Sequence, residues 1–200
     1  LVLTIDRAVQ FLAEDTLAET VDACDALSGM AVVLSPKTGA VLALAHYPFF
    51  NPNAFGDFER NAWRNRSITD PYEPGSTLKI FTAAAAPETG SRNPDSVVYC
   101  ENGQYRVGSH VIHDIKPHEW LTLADVLRVS SNIGASKVGE LVGAKRLHET
   151  LRRFGFGQRT SKDFRAESPG IYRDRKKWSS YSMGSLPMGQ EISVTMPQLA

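Results

Sequence analysis

Cysteine is scarce in this chain, two in 200 residues, so no disulfide framework can be read from spacing, and Cys24 and Cys100 are expected to stay unpaired. An excess of charge of either sign is also missing. The 22 basic residues balance 22 acidic ones, which leaves no electrostatic footprint for nucleic acid. The one short basic cluster, Arg173-Asp174-Arg175-Lys176-Lys177, reads as a solvated loop. No uninterrupted apolar run approaches the ~18 residues that a membrane-spanning helix needs. Internal repeats, low-complexity segments, a Gly-x-Ser-x-Gly elbow and a P-loop are all absent. His110, His113, Asp114 and His118 follow no standard zinc spacing, so neither a metal nor a cofactor is expected. With 42% hydrophobic residues and moderate glycine and proline, the composition is that of an ordered globule of one or two domains.

The most informative stretch is Pro74-Gly75-Ser76-Thr77-Leu78-Lys79, followed by the apolar run Ile80 to Ala86. The Pro-Gly pair breaks the incoming chain, and good helix formers carry on from the serine. Ser76 therefore falls in the first turn of a helix, with Lys79 three residues later on the same face. An amine held in a dry pocket loses its charge more readily and serves as a base for a neighbouring hydroxyl. The first-turn N–H groups point where an oxyanion would form. The plain alternative is a capping serine followed by a solvated lysine.

Ser130-Ser131-Asn132 lies between two expected helices, 54 residues after Ser76. Ser130 and Asn132, two apart in an irregular turn, can face one cleft. There a hydroxyl relays a proton and an amide holds a substrate carbonyl. An ordinary cap for the following helix explains the same residues. Ser91-Arg92-Asn93, before Pro94, reads only as a turn. Lys37-Thr38-Gly39 reads as the tip of a hairpin, and no residue points to a Ser-His-Asp triad.

In chain order, Leu1 to Asp6 reads as a strand entering a helix rather than as a secretory leader. Asp6 caps a helix whose apolar stripe is Val9, Leu12, Ala13, Leu17, Val21 and Cys24, with Cys24 buried. A hairpin follows from Ala31–Leu34 and Ala40–Ala45 around Ser35–Gly39. Its two nearly continuous apolar runs predict cover on both faces. Residues 46–70 are loop-like. The helix of Ser76 is expected to run to about Pro87-Glu88 and to end in Thr89-Gly90. Strand-like pieces lie near Val97–Cys100 and Gln104–Ile112. Leu121 to Arg128 is a helix capped by Thr122, with helices near Ile133–Val142 and Ala144–Phe154 after it. The remainder is loop to about Gly189. Thr195 looks like a cap with Pro197 in the first turn, and a helix barely begun at Ala200 predicts that the chain continues.

Taken together, Ser76-Thr77-Leu78-Lys79 and Ser130-Ser131-Asn132 resemble the first two motifs of the penicillin-binding transpeptidases. Asn65 through Ser76 resembles the approach to the nucleophile in class B (monofunctional) enzymes of cell division and elongation. Ser168-Pro169-Gly170 and Met188 through Thr195 resemble later segments of the same group. The resemblance implies an α+β (α/β sandwich) fold of the serine β-lactamase/penicillin-binding type, with a central antiparallel sheet and a helical subdomain. Residues 1–50 would give a helix and hairpin of the sheet, and residues 51–200 a mostly helical region carrying the motifs. The family's third motif, Lys-Thr-Gly, has no match after Asn132. The resemblance therefore identifies the chain as the first part of a transpeptidase domain.

By the same resemblance, Ser76 is the nucleophile, Lys79 its general base, Ser130 the proton relay and Asn132 the substrate-orienting amide. The implied reaction cross-links peptidoglycan stem peptides, from a D-Ala-D-Ala donor to an amine acceptor, and β-lactams inhibit it. A membrane glycosyltransferase and proteins of the divisome or elongasome are implied partners. The implied location is the outer face of the bacterial cytoplasmic membrane. The competing readings are a D,D-carboxypeptidase or β-lactamase of the same fold, and a non-catalytic penicillin-binding sensor or divisome scaffold.

Overall fold

The structure, a computed structural model, describes residues 2–86, 93–162 and 164–200. The chain divides into two compact units. One takes the stretch up to Pro71 together with Arg159–Pro169 and Thr195–Ala200; the other takes Tyr72–Gln158 and Gly170–Val194.

In the first unit, helix α1 (Arg7–Ala23) begins as expected at Asp6, whose carboxylate accepts from Ala8 N and Val9 N at 2.9 and 3.0 Å. Its inward row is Val9, Ala13, Leu17 and Val21, an i, i+4 series. Leu12 and Cys24, assigned to the stripe from sequence, are exposed instead. Cys24 is the C-cap, and the chain turns away through Asp25 at φ +49°, so the helical period no longer governs which way it points. Residues 2–5 form no strand; Thr4 Oγ1 and Asp6 N donate to Val41 O and Leu42 O.

Strands β1 (Gly29–Leu34) and β2 (Val41–Tyr47) form the expected antiparallel hairpin, with Ala31 opposite Ala45 and Val33 opposite Ala43. Lys37, Thr38 and Gly39 are exposed in its turn. Helix α1 lies on the hairpin, with Gly29 against Leu17 and Val21. The cover is thinner than the apolar runs suggest. All of β1 is half-buried, and only Ala43 and Ala45 of β2 are fully buried. Residues 46–70 hold more structure than the sequence reading allows: 3-10 turns at Pro52–Asp57 and Arg60–Trp63 and the helical turn α2 (Arg66–Thr69). Each is too short to show a period, and Asn51 and Asn65 start two of them by accepting from the backbone two residues on.

In the second unit, a 3-10 turn at Gly75–Leu78 runs into α3 (Lys79–Ala85). The expected helix end at residues 87–90, and Ser91 and Arg92 of the turn before Pro94, lie outside the described residues. Four short strands follow: β3 (Val97–Tyr99), β4 (Gln104–Val107), β5 (His110–His113) and β6 (Trp120–Thr122). They pair antiparallel as β3–β6 and β4–β5. Leu121 therefore belongs to a strand, not to the following helix. That helix, α4 (Leu123–Arg128), is capped by Thr122 as expected, its Oγ1 accepting from Asp125 N at 3.0 Å. Helices α5 (Asn132–Val142) and α6 (Ala144–Arg153) fall within a residue of their expected bounds.

The stretch read as loop up to Gly189 contains the helical turn α7 (Ser182–Ser185) and 3-10 turns at Arg175–Lys177 and Leu186–Met188. The core of this unit gathers Cys100, Ile112, Leu121, Val126, Ile133, Ala135 and Met188. Ile133 and Val126 bracket the turn of the second motif, so the core fixes that turn from both sides. Each such side chain contributes about 2–3 kcal/mol by leaving water. The final helical turn, α8 (Met196–Leu199), belongs to the first unit, with Gln198 Oε1 accepting from Thr195 N.

Candidate active site

Ser76 stands where the sequence puts it, in the first turn leading into α3, and its side chain is exposed. The turn is unusually constrained. Gly75 has φ +56°, its N–H donates to Gly189 O at 3.1 Å, and Thr77 Oγ1 donates to Pro74 O at 2.6 Å. Gly189, itself at φ +89°, lies so close that a β-carbon there would stand 1.9 Å from Gly75 O. The Leu186–Met188 turn that delivers Gly189 is held from two sides. Thr82 Oγ1 of α3 donates to Pro187 O at 2.9 Å, and the Pro187 ring rests against Gly139 of α5. Two residues after Gly189, the Glu191 carboxylate accepts from Ser182 Oγ at 2.7 Å and from Ser185 Oγ, while Glu191 N donates to Glu73. The segments before Ser76 and after Met188 are thus two sides of one bracket.

Lys79 points inward, with only 2% of its surface exposed. Its Nζ donates to Ser130 O at 2.5 Å, Ser130 Oγ at 3.0 Å and Asn132 Oδ1 at 2.8 Å. The three residues assigned to assist Ser76 therefore meet around one amine. Burial lowers the Lys79 pKa from 10.5 to about 8, against the opposing pull of the Asp114 carboxylate. In this geometry all three ammonium protons are engaged, and no hydrogen bond joins Lys79 Nζ to Ser76 Oγ among the described residues.

Ser130 reaches Lys79 with both its carbonyl and its hydroxyl because it adopts φ +57°, a left-handed conformation that costs a non-glycine residue about 1–2 kcal/mol. It sits between the end of α4, where Ser130 N donates to Leu127 O, and Ser131, which caps α5 by accepting from Gly134 N at 2.8 Å. The plain capping role belongs to Ser131, which frees Ser130 and Asn132 for the amine. Asn132 is turned by its other end: Nδ2 donates to His113 O at 3.0 Å, leaving Oδ1 for Lys79.

Beside this cluster lies a cleft of about 400 Å³ lined by Ser76, Asn132, His113, Tyr181 and Gln190 among others. An exposed hydroxyl at its edge, a buried amine of lowered pKa one turn away, and a second hydroxyl on that amine are the group types that a nucleophile, a base and a relay require. The sequence reading met Asp114 only as a rejected metal ligand and Gly189 and Glu191 only within a resembling segment, and it gave Thr82 no part. The contacts that place them reach across 11 to 118 positions of chain, from Asp114 N–H bonding Gly103 to Glu191 bonding Glu73, and no local pattern marks such contacts.

Comparison with known proteins shows the family and the fold. The family described as the penicillin binding protein transpeptidase domain matches residues 29–200. The Pseudomonas aeruginosa protein named "Probable peptidoglycan D,D-transpeptidase PbpC" is 39% identical over 198 residues, covering 99% of this chain and 35% of that protein. Escherichia coli "Peptidoglycan D,D-transpeptidase FtsI" is 37% identical over 200 residues, covering all of this chain and 34% of that one. This chain thus spans about a third of the length of these curated relatives. A crystal structure of a peptidoglycan glycosyltransferase from Burkholderia ambifaria superposes with a TM-score of 0.88 at 31% identity, covering all of this chain and 59% of the other. The transpeptidase domain of Burkholderia pseudomallei penicillin-binding protein 3 gives 0.87 at 30% identity, covering 98% and 55%. The α+β fold expected from the resemblance is the fold found. On the match of residues 29–200 and these likenesses, the chain belongs to the transpeptidase domain family of class B penicillin-binding proteins.

Proposed function

We propose that this chain provides the acylation machinery of a serine D,D-transpeptidase, with Ser76 as nucleophile, Lys79 as general base, Ser130 as proton relay and Asn132 as the amide that orients substrate. The observation that carries this reading is the buried Lys79 amine bonded to Ser130 and Asn132 one turn after an exposed Ser76. Neutral Lys79 takes the Ser76 proton as Oγ bonds to the carbonyl carbon of the D-Ala-D-Ala peptide bond. The proton passes through Ser130 to the departing nitrogen, the C–N bond breaks, and D-alanine leaves an ester on Ser76. An amine of a neighbouring stem peptide then attacks the ester, releases Ser76 and forms the cross-link. A β-lactam enters as a donor mimic and remains as the ester.

The peptidoglycan and penicillin-binding roles rest on the relatives named peptidoglycan D,D-transpeptidases and penicillin-binding proteins. The site of action that follows is the outer face of the bacterial cytoplasmic membrane, where the substrate is. Work alongside a glycan-polymerising enzyme belongs to the same proposal. No helix among the described residues is long and apolar enough to cross a membrane.

The test is covalent labelling of the full-length protein with a fluorescent penicillin, beside its Ser76→Ala variant. Stoichiometric label that is stable over hours and lost in the variant is the expected result. Rapid turnover of the label points instead to a β-lactamase or carboxypeptidase, and label retained by Ser76→Ala rejects the assignment of the nucleophile.

A further inference from the structure

Asp114 has no role in the acylation chemistry described above, yet its carboxylate bonds the second motif at Ser131 and Asn132 and the next residue, Ile133. It follows the last residue of β5, and its N–H donates to Gly103 O at 3.2 Å, which ties it to the neighbouring segment. Its Oδ1 accepts from Asn132 N at 2.5 Å and Ile133 N at 3.1 Å, and its Oδ2 accepts from Ser131 Oγ at 2.6 Å. The first two donors are N–H groups that the start of α5 would otherwise leave unpaired, and a carboxylate is the favoured partner at that end of a helix. Ser131 Oγ, fixed by Asp114, then caps Gly134 N. One carboxylate therefore orders the backbone of residues 131–133, and with it the orientation of both residues that face Lys79.

We propose that Asp114 is the positioning residue of the second motif: it locks Ser131, Asn132 and Ile133 so that Ser130 and Asn132 converge on Lys79. Its charge also opposes the loss of the proton that burial favours at that lysine. The proposal rests on Lys79 acting as base toward Ser76. It adds a residue that touches neither Ser76 nor the amine.

Neutral contacts surround the amine itself: Ser130 O, Ser130 Oγ and Asn132 Oδ1. The buried Cys100 thiol lies 3.8 Å from Ser131 Oγ, on the Asp114 side of the motif, and other ionisable groups on the adjoining elements have partners of their own. Lys137 of α5 pairs with Glu101, and Arg128 of α4 pairs with Asp125. Glu73 accepts from Glu191 N, and the Glu191 carboxylate is taken by Ser182 and Ser185. His113 offers its backbone carbonyl to Asn132, and its ring lines the cleft. Burial and Asp114 are the two influences on the titration of Lys79, and Asp114 favours the charged form.

Asp114→Asn keeps the shape and an oxygen for the two N–H groups but removes the charge; Asp114→Ala removes both. The experiment measures the rate of acylation of the full-length protein by a fluorescent penicillin from pH 6 to 10, for wild type, both variants and Ser76→Ala. Without the carboxylate, the charged lysine is less favoured, so the midpoint for Asp114→Asn falls by about 0.5–1 pH unit. For Asp114→Ala the high-pH plateau falls at least ~30-fold as the relay and amide lose their alignment. A midpoint unchanged in Asp114→Asn, or an Asp114→Ala plateau within about twofold of wild type, overturns the proposal.

The midpoint is also read without chemistry, by a side-chain NMR titration of Lys79 assigned with Lys79→Arg. If wild type takes no label on Ser76, the transpeptidase reading fails, and the NMR midpoint in Asp114→Asn still decides the part played by Asp114. Thermal melts show whether Asp114→Ala folds; if it does not, Asp114→Asn carries the test alone.

Discussion

The contact between Gly189 and Gly75 makes Gly189→Ala a demanding test of how the nucleophile is held. An added β-carbon would stand 1.9 Å from Gly75 O, where real contacts stop near 3.0 Å. The two backbones must part by roughly 1 Å, because neither atom lies on a flexible side chain. That parting stretches the Gly75 N–H bond to Gly189 O, now 3.1 Å, and shifts the residue immediately before Ser76. Alanine at φ +89° adds about 1–2 kcal/mol of backbone strain, and overpacking adds a further ~1–3 kcal/mol. A displacement of this size at a reacting group lowers rate by about 100-fold.

The assay is the second-order acylation rate of the full-length protein with a fluorescent penicillin, set beside a thermal melt. Gly155→Ala is the control: φ is nearly the same at +90°, and nothing lies within 4 Å of its added β-carbon. It should lose about 1–2 kcal/mol of stability with acylation nearly unchanged. Should Gly189→Ala acylate within about threefold of wild type, the bracket does not hold Ser76 in place and the reasoning fails.

Three further outcomes follow from the same geometry. Acylation by the wild type should rise with pH and level off with a midpoint near 8: Lys79 accepts a proton only when neutral, and its pKa is lowered to about 8. A flat rate between pH 7 and 9 would remove Lys79 as the base. Thr82→Val leaves Pro187 O without its buried donor and should cost about 1–3 kcal/mol in a denaturant melt, with acylation slowed because the Leu186–Met188 turn loosens. In the first unit, Glu167 is 1% exposed and accepts from Thr160 N, Thr160 Oγ1 and Ser161 N. Glu167→Ala removes the shared acceptor of those donors and should lower stability by about 1–3 kcal/mol while leaving the pH midpoint of acylation where it is. A melt unchanged in Glu167→Ala would refute that burden.

What the sequence determined by itself is local. Asp6 and Thr122 cap their helices because a short side chain reaches N–H groups two or three residues on, a range over which composition suffices. Ser35 to Gly39 had to turn, and Ser76 and Lys79 had to share a face, for reasons of dihedral preference and helical pitch. The meeting of Ser130 and Asn132 with Lys79 was legible only by resemblance, since nothing in spacings of 51 and 53 residues brings two turns together. Tertiary structure decided the rest. Leu121 joined a strand because Val98 was there to pair with it, and Cys24 faced solvent because the chain left the helix at that point. Asp114, Gly189 and Glu191 acquired their places from partners far along the chain, through contacts that exist only once α3, α5 and the Leu186–Met188 turn are packed. A side chain's chemistry is written in the sequence; the low exposure that turns Lys79 from a surface cation into a base is a property of what surrounds it.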